Sequence, residues 1–383
     1  MTGRILFYVQ HLMGVGHVFR SMRIVAALVR SGHKVDLAYG GEPVPNFDPS
    51  GANVHFLPPL RAGSTVFNDL EDPEGNVVGE DYRDRRREML LSIFSAGQHD
   101  VIVTEAFPFG RRQMRFELLP LLEAAKRRSP SPLVIASVRD ILQENRKPGR
   151  NEETVRLLRD HFDCILVHGD PNMVTLDETF PLFGEIDALV QYTGIVAPEL
   201  PPTDAAADNA FDVVVSVGGG ALGAELLAAA IGAKPLSRLT KSRWCLVTGI
   251  NIADDDLQRL ERMAEGNIEI RSFLPDLCAA LSKAKLSISR CGYNTATDIF
   301  VSGCRSIVVP LSDGTETEQI RRAEILDRNG LAVRVDPEKQ TPGYLAAAID
   351  RALAQPKPAD FGLDLSGAET TAQMISGMLA NRT

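Results

Sequence analysis

Ser289-Arg290-Cys291-Gly292-Tyr293-Asn294-Thr295-Ala296-Thr297-Asp298 follows a short apolar run, Lys285-Leu286-Ser287-Ile288, and precedes Ile299-Phe300-Val301 and Gly303. The run before it reads as a buried strand and the residues after it as a helix that stops at the glycine. Gly292 then falls in a tight strand-to-helix turn. An opening helix presents backbone N–H groups and the positive end of its dipole, which suits a phosphate. Asp298, about two turns into the helix, is placed to accept hydrogen bonds from a ribose beside that phosphate. An ordinary βα connection capped by an asparagine or threonine would leave the same pattern, and the segment alone does not separate the two.

The rest of the chain extends this unit. At 383 residues it is too long for one typical core, so two domains are expected. Its 44% apolar and 24% charged residues are those of a water-soluble globular protein. The net charge of −9 argues against a general nucleic-acid binder. No apolar run reaches the length of a membrane span, and Met1-Thr2-Gly3-Arg4-Ile5-Leu6-Phe7 enters a strand pattern with no signal-peptide layout, so a cytoplasmic location is expected. Five cysteines, at 164, 245, 278, 291 and 304, have neither CxxC spacing nor clustered histidines. They read as reduced thiols, and Cys291 as a small buried residue, not a nucleophile.

From the N-terminus, Ile5–Val9, Val35–Tyr39 and Val54–Leu57 read as strands, with a helix carrying Met22, Val25, Ala26 and Val29 between the first two. That is the start of a doubly wound parallel sheet. Residues 58–79 hold three prolines and three glycines without periodicity, a long loop of the functional or disordered kind. A helix over Asp81–Gln98 and strands at 101–103, 133–136 and 164–167 follow. Ligands of open α/β sheets bind beyond the carboxyl ends of strands, which places His17, Glu105, Arg139, Asp140 and His168 on one rim. Residues 198–210, rich in proline and small residues, read as a linker between a first domain of 1–197 and a second of 211–365. Strands at 212–217, 244–248, 268–271, 285–289, 305–309 and 332–335 build the second sheet. A last helix, within 366–383, is expected to pack back on the first domain. The fold class is therefore α/β, with two Rossmann-like doubly wound parallel-sheet domains facing a cleft.

Neither glycine turn fits a dinucleotide fingerprint, because Gly14-Val15-Gly16-His17-Val18-Phe19 lacks the third glycine and an acid at ribose spacing. A dehydrogenase is disfavoured and a P-loop is absent. Gly14-x-Gly16-His17-x-x-Arg20 instead resembles the first loop of the family-28-type, MurG-like glycosyltransferases of GT-B fold, and also that of the related UDP-sugar hydrolase of the pseudaminic acid pathway. Arg290-Cys291-Gly292 through Asp298 is similar to the family's nucleotide turn, with cysteine for the usual serine and aspartate for the commoner glutamate. Glu318-Gln319, ahead of a helix, matches a pair of glutamines on the donor sugar. The first of these is replaced, which leaves the sugar open. Ser272-Phe273-Leu274-Pro275-Asp276 resembles the segment that reads the uracil edge at Leu274. The run Gly218-Gly219-Gly220 corresponds loosely to a diphosphate loop. Glu105–Arg112 and Ser137–Asp140 look like a little-characterised branch of the superfamily.

The resemblance implies an inverting transferase moving a hexose-type sugar from a UDP-sugar to a hydroxyl acceptor. A UDP-sugar hydrolase and a non-catalytic nucleotide-sugar-binding protein are the alternatives. The donor would meet Gly218, Gly219, Gly220, Leu274, Arg290, Gly292, Tyr293, Asn294, Thr295, Asp298, Glu318 and Gln319. Gly14, Gly16, Arg20, Arg139 and Asp140 would face the acceptor. Helix N-termini and Arg290 would stabilise the leaving diphosphate without a metal or cofactor. Asp254-Asp255-Asp256 opens a helix and does not read as a metal triplet. His17, at a helix start that disfavours imidazolium, suits a general base. Glu105 is a rival base or the group that orients His17. Asp140 serves equally as a partner of Arg139, and His168-Gly169-Asp170 reads as a turn. The acceptor would be lipid-linked or a glycan. Arginines at 83–87, 111–115 and 126–128 admit peripheral membrane contact, although interleaved acids weaken it.

Overall fold

The computed structural model describes residues 1–12, 16–42, 44, 47–63, 69–199, 211–218, 223–312, 314, 316–356 and 362–382. Gly14, Gly219, Gly220 and linker residues 200–210 lie outside them. The chain divides into one compact unit of Met1–Val196 with Asp364–Thr383 and a second of Ala197–Leu363.

In the first unit the strands are β1 (Arg4–Val9), β2 (Lys34–Tyr39), β3 (Asn53–Phe56), β4 (Arg61–Ala62), β5 (Leu70–Glu71), β6 (Val101–Glu105), β7 (Leu133–Arg139), β8 (Cys164–His168) and β9 (Val190–Tyr192). Seven of them form a sheet in the order β3-β2-β1-β6-β7-β8-β9, every neighbour parallel. Strands covered on both faces read as near-continuous apolar runs, as Ile5-Leu6-Phe7-Tyr8-Val9 does. Alternate residues sort to opposite sides. Ile5, Phe7 and Val9 pack with Val18, Val25 and Leu28 of α1 (Gly16–Arg30). Leu6, Tyr8, Ile102 and Val134 face α2 (Glu80–Gly97), α3 (Arg115–Arg127) and α4 (Arg150–His161) through Leu90, Phe94, Leu118, Leu121 and Leu158. Within the loop after β3, β4 and β5 pair as a small antiparallel hairpin that buries Leu70.

The second unit repeats the plan. Strands β10 (Val213–Ser216), β11 (Trp244–Val247), β12 (Ile268–Arg271), β13 (Leu286–Ser289), β14 (Ser306–Val308) and β15 (Val333–Arg334) lie in the order β12-β11-β10-β13-β14-β15, all parallel. They alternate with α5 (Ala224–Ala233), α6 (Asp254–Met263), α7 (Leu277–Lys283), α8 (Tyr293–Ser302), α9 (Glu318–Arg328) and α10 (Pro342–Ala354). Val213, Val215, Trp244, Leu226 and Ile349 form its core. After α10 the chain returns to the first unit, where α11 (Gly367–Ala380) buries Ala368, Ala372, Ile375 and Leu379 against α1 and the sheet. Gly367 sits so close to Gly194 that a Cβ would lie 2.5 Å from its carbonyl oxygen, which is why the helix begins with a glycine.

Candidate active site

In both sheets the strand order runs outward in two directions from one adjacent pair, β1 and β6 in the first unit, β10 and β13 in the second. Right-handed crossovers then place successive helices on opposite faces, and a crevice opens at the carboxyl ends of that pair. The candidate residues gather at these two places.

At the β1/β6 point, the second residue of α1 meets the last residue of β6: His17 Nδ1 lies 2.6 Å from Glu105 Oε1. Arg20, one turn further along α1, donates to the same oxygen at 2.5 Å. Arg139, the last residue of β7, donates from its guanidinium to His17 Nε2 at 3.0 Å. A guanidinium has no lone pair to offer, so Nε2 must be the unprotonated nitrogen. The proton of the neutral ring therefore sits on Nδ1 and is donated to Glu105.

The electrostatics support this assignment. Glu105 is fully buried and His17 is 14% exposed. Burial alone would raise the Glu105 carboxyl, but His17, Arg20 and Arg111 together hold it well below the usual carboxylate range. Burial lowers His17 to about 3, with Arg139 and Arg111 adding to the effect against the pull of Glu105. The pair is a carboxylate with a neutral imidazole. Glu105 is the buried last residue of β6, with Oε2 unpartnered among the described residues.

His168, at the end of β8, accepts or donates at Ser137 Oγ (2.7 Å) and Thr193 Oγ1 (2.9 Å). Burial and then Arg20 lower it to about 3, so it is a neutral, fully satisfied core histidine. Asp140 is 2% exposed, and its Oδ1 accepts the backbone N–H of Ile141 at 2.9 Å. Gly16 is the first residue of α1.

Arg111 joins the same rim without having been singled out in the sequence. Its Nε donates to the backbone oxygen of Gln10 at 2.7 Å, and its backbone adopts a left-handed φ of 57°. Gln10 is fixed in turn by Arg86 at 2.9 Å, whose guanidinium also grips Glu117 at 2.7 and 2.8 Å. Tyr8 donates to Glu117 at 2.5 Å. All four are fully buried, so the loop after β1 rests on a charged network inside the core. Such networks hold only when their members are mutually satisfied. A charged pair interrupting the apolar neighbours of α2 and α3 was the available signal.

At the β10/β13 point, Arg290 N donates to Ser216 O at 3.1 Å, tying the ends of the two strands. Gly292 is the residue before α8, and Tyr293, Asn294 and Thr295 form its first turn, where N–H groups have no carbonyl a turn earlier. Asp298 lies in the same helix, 8% exposed. Gly218, just past β10, has a φ of +77° that favours glycine. Leu274 is 9% exposed after β12. Arg290 is itself buried, its guanidinium donating to the carbonyls of Val309 and Pro310 at 3.2 Å. Ser289 Oγ and Arg290 Nε are buried without a partner among the described residues. Glu318 and Gln319 are the first residues of α9 and do not precede it. Gln319 Oε1 accepts from Cys291 N at 3.1 Å and Leu311 N at 3.3 Å. Glu318 pairs with Arg322 at 2.8 Å, and Arg322 also donates to Cys291 O at 3.2 Å and lies 5.7 Å over the Tyr293 ring. Arg322, absent from the sequence-based set, thus joins α9 to the turn at Gly292.

Residues 214–361 match the glycosyltransferase family 28 C-terminal domain. The second unit is a family 28 domain. The likeness to family 28 transferases runs further. A UDP-N-acetylglucosamine–N-acetylmuramyl-(pentapeptide) pyrophosphoryl-undecaprenol N-acetylglucosamine transferase of Rhodopseudomonas palustris is 31% identical over 142 residues, 36% of this chain; the chain spans 38% of that relative's length. The namesake enzyme of Erythrobacter litoralis is 28% identical over 375 residues, 93% of this chain and 83% of its own. Among solved structures, the glycotransferase of kitacinnamycin superposes with a TM-score of 0.64 at 16% identity, over 100% of this chain and 99% of that one. Acinetobacter baumannii MurG does so with a TM-score of 0.56 at 17% identity, over 99% of each chain. The fold is GT-B, and the chain resembles the MurG-like, family 28 transferases. Two of its departures from the pattern, Cys291 and Glu318, are buried, and both are held by Arg322.

Proposed function

We propose that this chain is an inverting glycosyltransferase that moves a hexose-type sugar from a uridine diphosphate donor to a hydroxyl acceptor, without a metal. The observation that carries the reading is the Glu105–His17–Arg139 chain, which leaves Nε2 as the basic nitrogen at the β1/β6 point. A base of this kind takes the acceptor's proton as the acceptor oxygen bonds to the anomeric carbon. The bond from that carbon to the diphosphate breaks on the opposite face, and UDP leaves with the electron pair. Glu105 orients the ring and stabilises the imidazolium that forms, as the acid of a catalytic triad does.

The donor side belongs to the second unit. The first turn of α8 receives the diphosphate, Asp298 the ribose, Leu274 the base edge, and Glu318 with Gln319 the sugar. Buried Ser289 Oγ and Arg290 Nε supply further polar atoms at that turn. The relatives named above are UDP-N-acetylglucosamine transferases acting on an undecaprenol-linked compound. That supports a UDP-sugar donor and a lipid-linked acceptor here; a glycan acceptor and a place on the cytoplasmic face of a membrane are part of the proposal alone. Among the described residues no helix is long and apolar enough to cross one.

The test is time-resolved NMR of UDP-N-acetylglucosamine and UDP-glucose, with and without extracted acceptors, in the presence of EDTA. Acceptor-dependent release of UDP with inversion at the anomeric carbon, unaffected by EDTA, is the expected result. Abolition by EDTA with restoration by magnesium would overturn the metal-free mechanism. UDP binding with no turnover of any donor would overturn the transferase.

A further inference from the structure

Arg139 occupies the one nitrogen that the proposed chemistry needs. Its guanidinium donates to His17 Nε2 at 3.0 Å, so the lone pair that would take the acceptor's proton is already engaged. Nor can Arg139 relay that proton, since a guanidinium has no lone pair to receive it. We propose that Arg139 is a positioning residue that fixes the His17 tautomer while blocking the base, and that an anionic group on the acceptor, a phosphate or carboxylate near the reacting hydroxyl, frees the base by drawing the guanidinium to itself. The inference rests on His17 being the base.

The charges around His17 favour such a ligand. Arg20 approaches from its own helix, Glu105 from β6, Arg111 from the segment after β6, and Arg139 from β7. His168, on β8, is neutral. Arg20 is committed to Glu105, and Asp140, one residue past Arg139, turns an oxygen back to the N–H of Ile141. Three guanidinium groups and two carboxylates therefore meet at this rim, a local positive excess in a chain whose net charge is −9. Arg111 donates to the backbone oxygen of Gln10, while Arg139 stands at the partly buried end of β7 with its guanidinium on His17 Nε2, on the side from which an arriving group would have to approach the base.

Displacement is selective for chemical reasons. Water or a neutral hydroxyl must compete with Arg139 for Nε2 and gives the guanidinium nothing in exchange. A phosphate or carboxylate offers it two parallel charge-assisted hydrogen bonds. The base is then released only when an anionic acceptor is present, which protects the donor from hydrolysis in its absence.

The experiment follows the His17 ring in the full chain by long-range proton–nitrogen NMR, with potassium pyrophosphate and potassium citrate as probes. Without probe, Nδ1 should carry the proton and Nε2 should show a hydrogen-bonded, unprotonated resonance at neutral pH. A bound probe should shift the Nε2 resonance and raise the His17 pKa by about one unit or more, the scale of a lost neighbouring cation. Response to pyrophosphate alone assigns a phosphate, and response to citrate alone a carboxylate. Arg139→Ala should raise the pKa and mix the tautomers without probe, and should lose most of the probe response. Arg139→Gln, which keeps an N–H donor, should retain the tautomer and lose the response. The proposal falls if neither anion perturbs His17 in the wild type, or if wild type and Arg139→Ala respond equally. It falls equally if Arg139→Ala leaves tautomer and pKa unchanged. Should these fail while His17→Ala still abolishes turnover, the base stands and the role of Arg139 alone is lost.

Discussion

Two side chains share Glu105 Oε1, His17 at 2.6 Å and Arg20 at 2.5 Å, and that sharing explains how a fully buried carboxyl stays ionised. The counterpart in the second unit is Asp298, a carboxylate that follows the first turn of α8 and is 8% exposed. If it accepts hydrogen bonds from the ribose hydroxyls, Asp298→Ala should weaken UDP binding by about 1.5–3 kcal/mol, the range for hydrogen bonds to a charged group. Calorimetry giving wild-type affinity in a folded variant would remove Asp298 from the site. Residues with a distinctive local motif, such as His17 beside Gly16 or Asp298 beyond Gly292, were legible in the sequence. Arg111 and Arg322 were not, because each acts on a partner far along the chain, Gln10 for the first and Cys291 for the second. A charge run in sequence gives no sign of which arginine turns inward. His168 shows the converse: its turn-like context concealed a fully buried ring bonded to Ser137 and Thr193.

Elements place these residues by topology. His17 opens α1 directly after β1 and Glu105 ends β6, so the switch in strand order brings together residues 88 positions apart. Continuous apolar runs made the parallel strands readable, since burial on both faces leaves little else in them. The β4–β5 hairpin was not readable, because two-residue strands carry no period. The start of α9 was also displaced: Thr317 is its N-cap, and Glu316, one residue before it, accepts the N–H of Gln319 at 2.9 Å in the first turn. At this scale α11 is the most telling element, because it reaches the first unit only after the whole second unit. Ile375 is fully buried between α11 and the sheet face formed by Ile5, Phe7 and Val9. Ile375→Ala should therefore destabilise the first unit by about 2–5 kcal/mol, the usual cost of an aliphatic truncation in a core. Denaturant unfolding followed on probes in each unit should show the loss in the first. A loss below about 0.5 kcal/mol, the usual bound for a surface substitution, would show that α11 is not part of that core.

Over the whole molecule, burial has one consistent effect on histidine. His17 and His168 are both lowered from 6.5 to about 3, and burial also lowers His11, His33 and His99. Between these values the unfolded chain binds more protons than the folded one, so stability rises with pH in that interval. It should be complete above about pH 6.5 and be lost progressively as the pH falls toward 3. Glu105, held below its ordinary 4.5, contributes stability present above that value and lost on further acidification. Melting temperatures across this range should fall on the acid side, and the fall should be less steep in His168→Asn, whose smaller carboxamide keeps hydrogen-bonding atoms but does not titrate. A flat profile in the wild type would contradict the buried neutral histidines. The central claim joins chemistry in one unit to binding in the other, and one comparison tests it most directly: UDP affinity and turnover in His17→Ala. A group that removes a proton only in the transition state matters for rate and not for donor affinity. UDP binding should stay within a few-fold of wild type while turnover drops by about 10²–10⁴, the usual contribution of a general base, and the acidic limb of the pH profile disappears. Near-wild-type turnover with the acidic limb intact would contradict the account.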